Sequence, residues 1–230
     1  MNKAIWALAF VVLCSGMAFA IDNASVDYGK QSGWESDFAA DSINTEGGNV
    51  SQTNAESNAS TEKWAGAYGN VSGNLILAED GESDFLYNWT YSAADGGEVC
   101  VSRNNNPTWS LITNAVTGAV VDAIYGFIAA DADSATTTLT DDSADFSIGG
   151  ETVTTAGVVT NTGGATVWET GVVNVSASAG DATAFAFCVN ITDDGDNYLN
   201  NEADYQVMFA TSDEEGPGTA HDYYYYVELV

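Results

Sequence analysis

A nine-residue stretch, residues 184–192, constrains the fold of this chain more than any other segment. Large apolar side chains occupy every second position, at Phe185, Phe187, Val189 and Ile191. The positions between them carry small or polar residues, among them Cys188 and Asn190. Alternation with a period of two is typical of a β-strand that buries one face. The stretch therefore predicts a strand whose apolar face lies in a core and whose second face, with Cys188 and Asn190, lies in water.

Comparable short segments fill most of the remaining chain. We predict strands over residues 68–77, 85–91, 97–102, 136–140, 145–148, 152–160, 165–169, 171–177, 184–192, 204–210 and 223–230. Glycine- and aspartate-containing turn signals separate them. Many short strands at close intervals are typical of two packed sheets. The sequence therefore predicts an all-β fold, a β-sandwich of jelly-roll or immunoglobulin-like topology.

The alternation also assigns a face to individual side chains. Leu75 and Leu77 in one predicted strand, and Tyr87 and Trp89 in the next, are expected to face the core. In the strand over residues 97–102 the side chains expected to face water are Glu98, Cys100 and Ser102.

Residues 109–130 depart from this rhythm. Between Ile112 and Phe127 apolar residues recur at steps of three and four, which predicts an amphipathic helix inserted between strands. Thr108 is positioned to cap its first turn. Gly118 and the β-branched pair at 120–121 lower the helix propensity, so two short strands are the alternative.

The N-terminal residues 1–20 have the pattern of a secretory signal peptide. Lys3 precedes an apolar run that ends in Ala-Phe-Ala at 18–20, which predicts cleavage after Ala20. A membrane anchor is the alternative, but the run is near the lower length limit for a span. We expect a secreted, extracellular or cell-surface protein with no further membrane span. It would consist of a polar lead segment, residues 21–62, and a β-sandwich domain, residues 63–230.

The charge of the chain restricts its partners. Thirty-three acidic residues stand against four basic ones, a net charge of −29 at pH 7. Without a basic surface to neutralise phosphates, the chain is not expected to bind nucleic acid. Hydrophobic residues still make up 45 % of the chain, which argues against disorder throughout. The self-repulsion of such a surface is relieved by salt, as in a halophilic protein.

Cys100 and Cys188 are the two cysteines outside the predicted signal peptide. In a secreted chain such a pair predicts a disulfide, with free or intermolecular thiols as the alternative. Both lie on the predicted water-facing side of their strands. The bond is therefore expected to join neighbouring strands on the outer side of one sheet, or to lie beneath residues 109–130.

Seven Asn-x-Ser/Thr acceptor sequences predict N-linked glycans. Three fall in the lead segment, at Asn23, Asn49 and Asn58. Four fall in predicted strands, at Asn70, Asn88, Asn174 and Asn190. In all four strands the asparagine lies on the side opposite the large apolar residues, as a glycosylated outer surface requires.

One loop concentrates oxygen ligands around a glycine, as calcium loops do. Its candidate metal ligands are Asp193, Asp194, Asp196, Asn200 and Glu202. The spacing is not that of an EF-hand, and a solvated turn is the alternative. Weaker acidic clusters lie at residues 131–133 and 141–145. Calcium is the one cofactor that the sequence suggests.

Enzymatic chemistry finds little support. His221 is the single histidine, and no Gly-x-Ser-x-Gly motif is present, so a nucleophile lacks an evident base. Zinc sites built from cysteine and histidine are excluded by number. We therefore expect a protein that is not an enzyme.

Two segments of the chain carry a family resemblance. They are residues 61–73, Thr-Glu-Lys-Trp-Ala-Gly-Ala-Tyr-Gly-Asn-Val-Ser-Gly, and residues 97–100, Gly-Glu-Val-Cys. They resemble secreted archaeal cell-surface β proteins, most closely in the Trp-x-Gly-x-Tyr-Gly-Asn run. In architecture the chain is similar to the glycosylated β-sandwich subunits of archaeal extracellular threads and bundling pili. The resemblance implies a structural role without catalysis.

These observations lead to one functional expectation and one alternative. We expect a subunit of a glycosylated surface filament, surface layer or adhesive coat that self-associates into a polymer or lattice. A terminal segment, more plausibly residues 21–62 than the apolar C-terminal strand, would cross between subunits. The alternative is a monomeric secreted module that binds a carbohydrate or a protein partner.

Overall fold

The computed structural model describes residues 21–27, 29, 31–33, 41–80, 84–112, 116–160, 166–177, 180–211 and 220–230, without the side chains of 141–144. The predicted signal peptide, residues 1–20, lies outside the described residues. The strands are β1 (Asp22–Asn23), β2 (Trp64–Gly69), β3 (Asn74–Leu77), β4 (Tyr87–Thr90), β5 (Gly97–Ser102), β6 (Asp141–Ile148), β7 (Glu151–Val159), β8 (Glu169–Asn174), β9 (Phe185–Asn190), β10 (Gly195–Asp196), β11 (Glu202–Ala203), β12 (Tyr205–Ala210) and β13 (Tyr224–Leu229). The α-helices are α1 (Gly118–Tyr125) and α2 (Ala135–Thr138).

Seven strands form one antiparallel sheet in the order β1-β13-β5-β9-β8-β7-β6. The stretch first singled out in the sequence is β9, which lies between β5 and β8 near the middle of this sheet. Three two-stranded sheets accompany it: β12 with β2, β3 with β4, and β10 with β11. The predicted all-β, sandwich-like fold is confirmed.

The first face of the large sheet carries the main hydrophobic core. Phe185, Phe187 and Val189 of β9 lie in it, as their alternation predicts. Val207 and Phe209 of β12 pack against them from the small β2–β12 sheet, and residues of α1 join the same cluster. Two layers therefore enclose this core.

The second face of the sheet is also buried, which corrects the prediction that it lies in water. Ala186 and Cys188 of β9 are buried, as are Glu98, Cys100 and Ser102 of β5. The hairpin of β6 and β7 curls over this face, where Phe146 and Ile148 join a second hydrophobic cluster. Small side chains on β9 leave the room that these larger residues fill. Alternation separates two faces but does not say what covers either of them.

Two glycines permit this curl. Gly149 and Gly150 connect β6 to β7 with φ angles of 61° and 79°, as a two-residue hairpin turn requires. Gly171 in β8 lies under the ring of Phe146, and a Cβ at Gly171 would come within 2.2 Å of that ring. The hairpin can therefore approach the sheet only over a residue without a side chain.

The helical insertion is shorter than predicted. Residues Trp109–Leu111 form a 3-10 turn after Thr108, whose side chain makes no cap hydrogen bond, and α1 begins only at Gly118. The strand predicted over residues 136–140 is wrong, because α2 occupies Ala135–Thr138. The Asp122 carboxylate accepts hydrogen bonds from the backbone N–H groups of Ala135 and Thr136, and Ser134 caps the turn. These local bonds outweigh the β propensity of the threonines.

The strand predicted over residues 68–77 is divided into β2 and β3. Between them the backbone N–H of Val71 donates to the carboxylate of Asp204 at 2.8 Å, which fixes the bend. All residues of β3 and β4 are exposed. The predicted core positions of Leu75, Leu77, Tyr87 and Trp89 are therefore wrong.

Within its described residues, the lead segment contributes one short strand, β1. Asp22 and Asn23 pair with Val227 and Tyr226 of β13 at the edge of the large sheet. Residues 41–60 are exposed throughout and form neither helix nor strand. Among the helices that the structure describes, none has both the length and the apolar character needed to cross a bilayer.

Candidate functional sites

The predicted disulfide joins Cys100 to Cys188. The two residues are directly opposed in β5 and β9, with their Cα atoms 4.1 Å apart. The bond thus joins neighbouring strands of one sheet, on the face away from the main core. Trp109 and Ile112 pack in the cluster that surrounds it, so residues at the start of the 109–130 segment do lie over the bond. Because it is fully buried, the bond is structural.

The acceptor asparagines lie mostly at the surface. Asn23, Asn49, Asn58, Asn70, Asn88 and Asn190 are exposed, and Asn174 is half-buried at the end of β8. Asn174 Oδ1 accepts a hydrogen bond from the N–H of Ser176, and Asn190 Nδ2 donates to the carbonyl oxygen of Asp145 at 3.3 Å. A glycosylated amide keeps one N–H, so the Asn190 contact is compatible with a glycan. Glycosylation at the seven positions stays a prediction.

The predicted calcium loop adopts a different arrangement from that expected. Asp196 and Glu202 are opposed in the small hairpin of β10 and β11, and Asn200 lies at its turn with a φ of 57°. Asn197 organises this turn, because its side-chain oxygen accepts hydrogen bonds from the backbone N–H groups of Leu199 and Asn201. The predicted ligands therefore do not converge as a set.

A different carboxylate completes the cluster. Oxygen atoms of Asp193, Asp194 and Asp204 lie within 4.8 Å of one another. Asp204 follows the hairpin, is buried, and also accepts the hydrogen bond from Val71. Three carboxylate oxygens at this spacing suit a hard divalent cation such as calcium. Calcium binding stays a prediction, and Asp204 joins Asp193 and Asp194 as a candidate ligand.

The second acidic cluster already has a cation. Lys63 Nζ lies 2.6 Å from Asp131 and 2.8 Å from Asp133. Hydrogen bonds to the two carboxylates hold the pKa of Lys63 above its ordinary value, and that of Asp133 below it. This ion triad fastens the start of β2 to the loop between the helices. Of the third cluster, residues 141–145, most side chains lie outside the described part.

Two acidic side chains are buried side by side beneath the β6–β7 hairpin. Glu98 of β5 and Glu228 of β13 are directly opposed, and they are 5 % and 1 % exposed. The backbone N–H of Ser147 donates to Glu98 at 3.1 Å, and that of Gly149 donates to Glu228 at 2.8 Å. The second carboxyl oxygen of Glu98 is buried without a hydrogen-bond partner. Burial, together with the charge of Glu228, raises the pKa of Glu98 to about 7, and burial raises that of Glu228.

The sequence gave no signal for this pair. Each glutamate occurs in an alternating strand at a position that is expected to face water. The two residues are 130 positions apart in the chain, so only folding brings them together. Their adjacency follows from the register of β5 and β13, which pairs Glu98 with Glu228.

Strands β3 and β4 form a ribbon that extends from the body of the domain. Leu75 opposes Trp89, and Leu77 opposes Tyr87, so these four side chains share one face of the ribbon. All four are between 40 % and 57 % exposed. The rings of Tyr87 and Trp89 are 4.6 Å apart and inclined by 52°. We call these four side chains the apolar ribbon face.

A groove lies on the outer side of the β2–β12 sheet. It has a volume of about 560 Å³, and its lining includes Tyr68, Tyr198, Leu199 and Gln206. Tyr68 and Tyr198 meet edge to face with ring centres 5.5 Å apart. Gln206 is held by hydrogen bonds to Tyr198 and Thr160. The groove thus combines exposed aromatic rings with an oriented amide.

The imidazole of His221 contacts the side chain of Arg103. Its Nδ1 lies 2.7 Å from the guanidinium of Arg103, which can only donate, so this nitrogen accepts. This hydrogen bond engages the side chain of Arg103, which is one of the few basic groups in the chain.

Taken together, fold and sites define an acidic, disulfide-bonded β protein of sandwich-like architecture, with an exposed apolar ribbon and a covered second face. Comparison with protein-family models, with curated proteins and with solved structures finds no match.

Proposed function

We propose that the protein is a structural subunit of a glycosylated extracellular assembly, such as a surface filament, a surface layer or an adhesive coat. The observation that carries this proposal is the edge of the large sheet at β13. Within the described residues, that edge pairs with the two residues of β1 and with the backbone N–H of Ala24, which donates to the carbonyl oxygen of Tyr225, although β13 itself is six residues long. A sheet edge so lightly covered is a site at which another strand can add.

The lead segment supplies a strand of the right kind. Ile21, next to β1, is buried in the second hydrophobic cluster, so this end of the segment binds through an apolar anchor. Residues 41–60 are exposed and irregular, and a segment of this length can reach a neighbouring copy as well as its own domain. Exchange of β1 between copies would link subunits without a new type of contact.

The location and chemistry of the assembly follow from the same reasoning. The N-terminal signal pattern, the buried disulfide and the exposed acceptor asparagines support a secreted glycoprotein at the cell surface. The charge of −29 supports a saline setting, and the archaeal resemblance is compatible with it. The proposal assigns the protein no catalytic role.

The test is the assembly state of the mature glycoprotein in molar salt, followed by light scattering and electron microscopy. We expect ordered polymers from the wild type and fewer or shorter ones from Ile21→Ser. Val50→Ser is the matched control, because Val50 is also β-branched and in the lead segment but is 98 % exposed. A monodisperse monomer at all concentrations would overturn the proposal.

The groove on the β2–β12 sheet favours a second candidate, a secreted module that binds a carbohydrate or a peptide. Its volume is in the range of small-ligand sites, and Tyr68 and Tyr198 offer rings for stacking. A monomer that binds a polysaccharide, and loses that binding in Tyr198→Ala, would support this candidate over the first.

A further inference from the structure

The apolar ribbon face, formed by Leu75, Leu77, Tyr87 and Trp89, lacks a covering layer within the described part of the domain. An isolated two-stranded ribbon is at best marginally stable in water, and it gains stability when one face packs against another surface. Four half-exposed side chains of this size present on the order of 450 Å² of surface, comparable to the largest and often functional patch of a typical monomer. The apolar ribbon face is therefore a candidate surface for binding a partner.

The ribbon is also unusual in its charge. Strands β3 and β4 carry no charged side chain in a chain with 33 acidic residues. Glu79, Asp80 and Asp84 lie beyond the strand ends, near the tip. A partner at this face must accordingly be apolar at the contact, and an acidic partner is tolerated only if it offers a patch without carboxylates.

A second copy of the chain meets this condition. The basic side chains of the described part are Lys63 and Arg103, and both are engaged within the domain, by Asp131 and Asp133 and by His221. Within the described part of the chain, neither basic side chain is therefore left over for an ion pair with a second copy. Copies that repel one another over most of their surface can approach where charge is absent, and the apolar ribbon face is such a place.

We propose that two copies of the protein associate by stacking their apolar ribbon faces about a two-fold axis, as two sheets pack roughly 10 Å apart. This inference rests on the proposed function as a self-associating subunit and names the surface that a pair of subunits shares. With on the order of 450 Å² per copy, below the ~800 Å² of a standard interface, the contact is weak and reversible by itself.

Other partners fit the ribbon less well. The planes of Tyr87 and Trp89 are inclined by 52°, so the two rings do not form one flat platform for a sugar chain. A net charge of −29 opposes approach to an anionic membrane surface. Carbohydrate binding and membrane binding are therefore outcomes that would contradict the inference.

The test uses two neighbouring residues on opposite faces of the same strand. Leu77 and Ile76 are 49 % and 50 % exposed, and Leu77→Thr and Ile76→Thr remove similar apolar groups while keeping β propensity. Sedimentation of the mature protein in molar salt measures the monomer–dimer equilibrium. We expect Leu77→Thr to raise the dissociation constant about tenfold or more, since each residue counts twice in a two-fold contact, and Ile76→Thr to leave it nearly unchanged.

Trp89→Thr is a second variant on the ribbon face, and it preserves the acceptor sequence at Asn88. At protein concentrations at which the wild type is monomeric, the melting temperatures of the variants should lie close to that of the wild type, because the replaced side chains are half-exposed. Such agreement excludes unfolding as the cause of any change. If Leu77→Thr and Ile76→Thr weaken dimerisation equally, association is non-specific hydrophobic contact, and the inference is contradicted. A wild type that remains monomeric at high concentration, or one that binds polysaccharide or vesicles through the ribbon as a monomer, would also contradict it.

The outcomes separate this inference from the proposed function. If the wild type forms polymers and the ribbon variants form them equally well, the ribbon contact is wrong and the structural function stands. If the wild type forms only dimers that Leu77→Thr dissociates, the ribbon contact is supported and the polymer is not.

Discussion

Replacement of Glu98 by glutamine should make the protein more stable at high pH and leave it unchanged at low pH. Glu98 is buried against Glu228, and one of its carboxyl oxygens lacks a hydrogen-bond partner. Glutamine has nearly the same shape but carries no charge. Its side-chain oxygen can still accept the hydrogen bond from the backbone N–H of Ser147.

The sign and size of the effect follow from the pKa. A carboxyl group with a higher pKa in the folded protein binds its proton more tightly when folded. The free energy of unfolding therefore falls as the pH rises from the ordinary value of 4.5 to the folded value of about 7. At about 1.4 kcal/mol for each pKa unit the whole loss is at most about 3.5 kcal/mol, and we expect roughly 2 kcal/mol above pH 5 because part of the loss occurs below that pH. The raised pKa of Glu228 acts in the same direction.

Urea unfolding followed by tryptophan fluorescence, at pH 5, 6, 7 and 8 in molar salt, measures this difference. Glu98→Gln should gain roughly 2 kcal/mol relative to wild type between pH 5 and pH 8. Glu151→Gln is the matched control, because Glu151 lies at the start of β7, in the hairpin that covers Glu98, but is exposed, and the stability of this variant should vary with pH as that of the wild type does. Parallel curves for Glu98→Gln and wild type would refute the reasoning, as they would show that Glu98 titrates normally.

Four further predictions concern the whole domain. Raising the salt concentration from low to molar should raise the melting temperature, and a flat curve would show that bound cations already neutralise the surface. Reduction of Cys100–Cys188 under denaturing conditions should lower the free energy of unfolding by about 4–5 kcal/mol for an 88-residue separation, whereas two free thiols in the native protein would contradict the bond. Gly171→Ala should cost about 2–3 kcal/mol, because the new methyl group collides with the Phe146 ring, and a neutral effect would mean that the hairpin lies further away. Calcium at constant ionic strength should raise the melting temperature of the wild type but not that of Asp194→Asn. Asparagine is chosen because it tolerates the φ of 49° at this position. Equal responses of the two proteins would show that the carboxylate cluster does not bind calcium.

The sequence predicted those features that depend on local order. Alternation in residues 184–192 placed Phe185 and Phe187 in the main core, where the structure has them. The disulfide was also predictable, because only Cys100 and Cys188 were available to form it. Their opposite positions in β5 and β9 agree with the shared phase that the pattern assigned to them.

The covering of each face was not predictable, because it depends on segments that are distant in the chain. Ala186 and Cys188 have the small side chains of a water-facing row, yet Phe146 and Ile148 from β6 lie in the same cluster. Leu77 and Trp89 show the opposite case, with the alternation of a core strand and an exposed position. A period of two identifies the two faces of a strand, and only the fold decides which face meets another layer.

The acidic loop shows the same limit for a site. Spacing along the chain suggested that Asp196 and Glu202 would join Asp193 as ligands. The hairpin of β10 and β11 instead opposes Asp196 and Glu202 across a ladder, and the chain returns so that Asp204 approaches Asp193. A motif defined by spacing assumes one continuous loop, and two short strands are enough to replace one set of carboxylates by another.

The two contacts that we propose between copies differ in symmetry, and this difference decides what form an assembly would take. Exchange of β1 onto the β13 edge of a next copy that does not return its own β1 is a head-to-tail contact, which continues indefinitely unless it closes into a ring. Stacking of the apolar ribbon faces is a two-fold contact, which closes after two copies. Strand exchange alone would give single chains, and ribbon stacking alone would give dimers. If both operate, each chain of subunits is tied laterally to another, so Leu77→Thr should leave single chains while Ile21→Ser should leave ribbon-linked pairs.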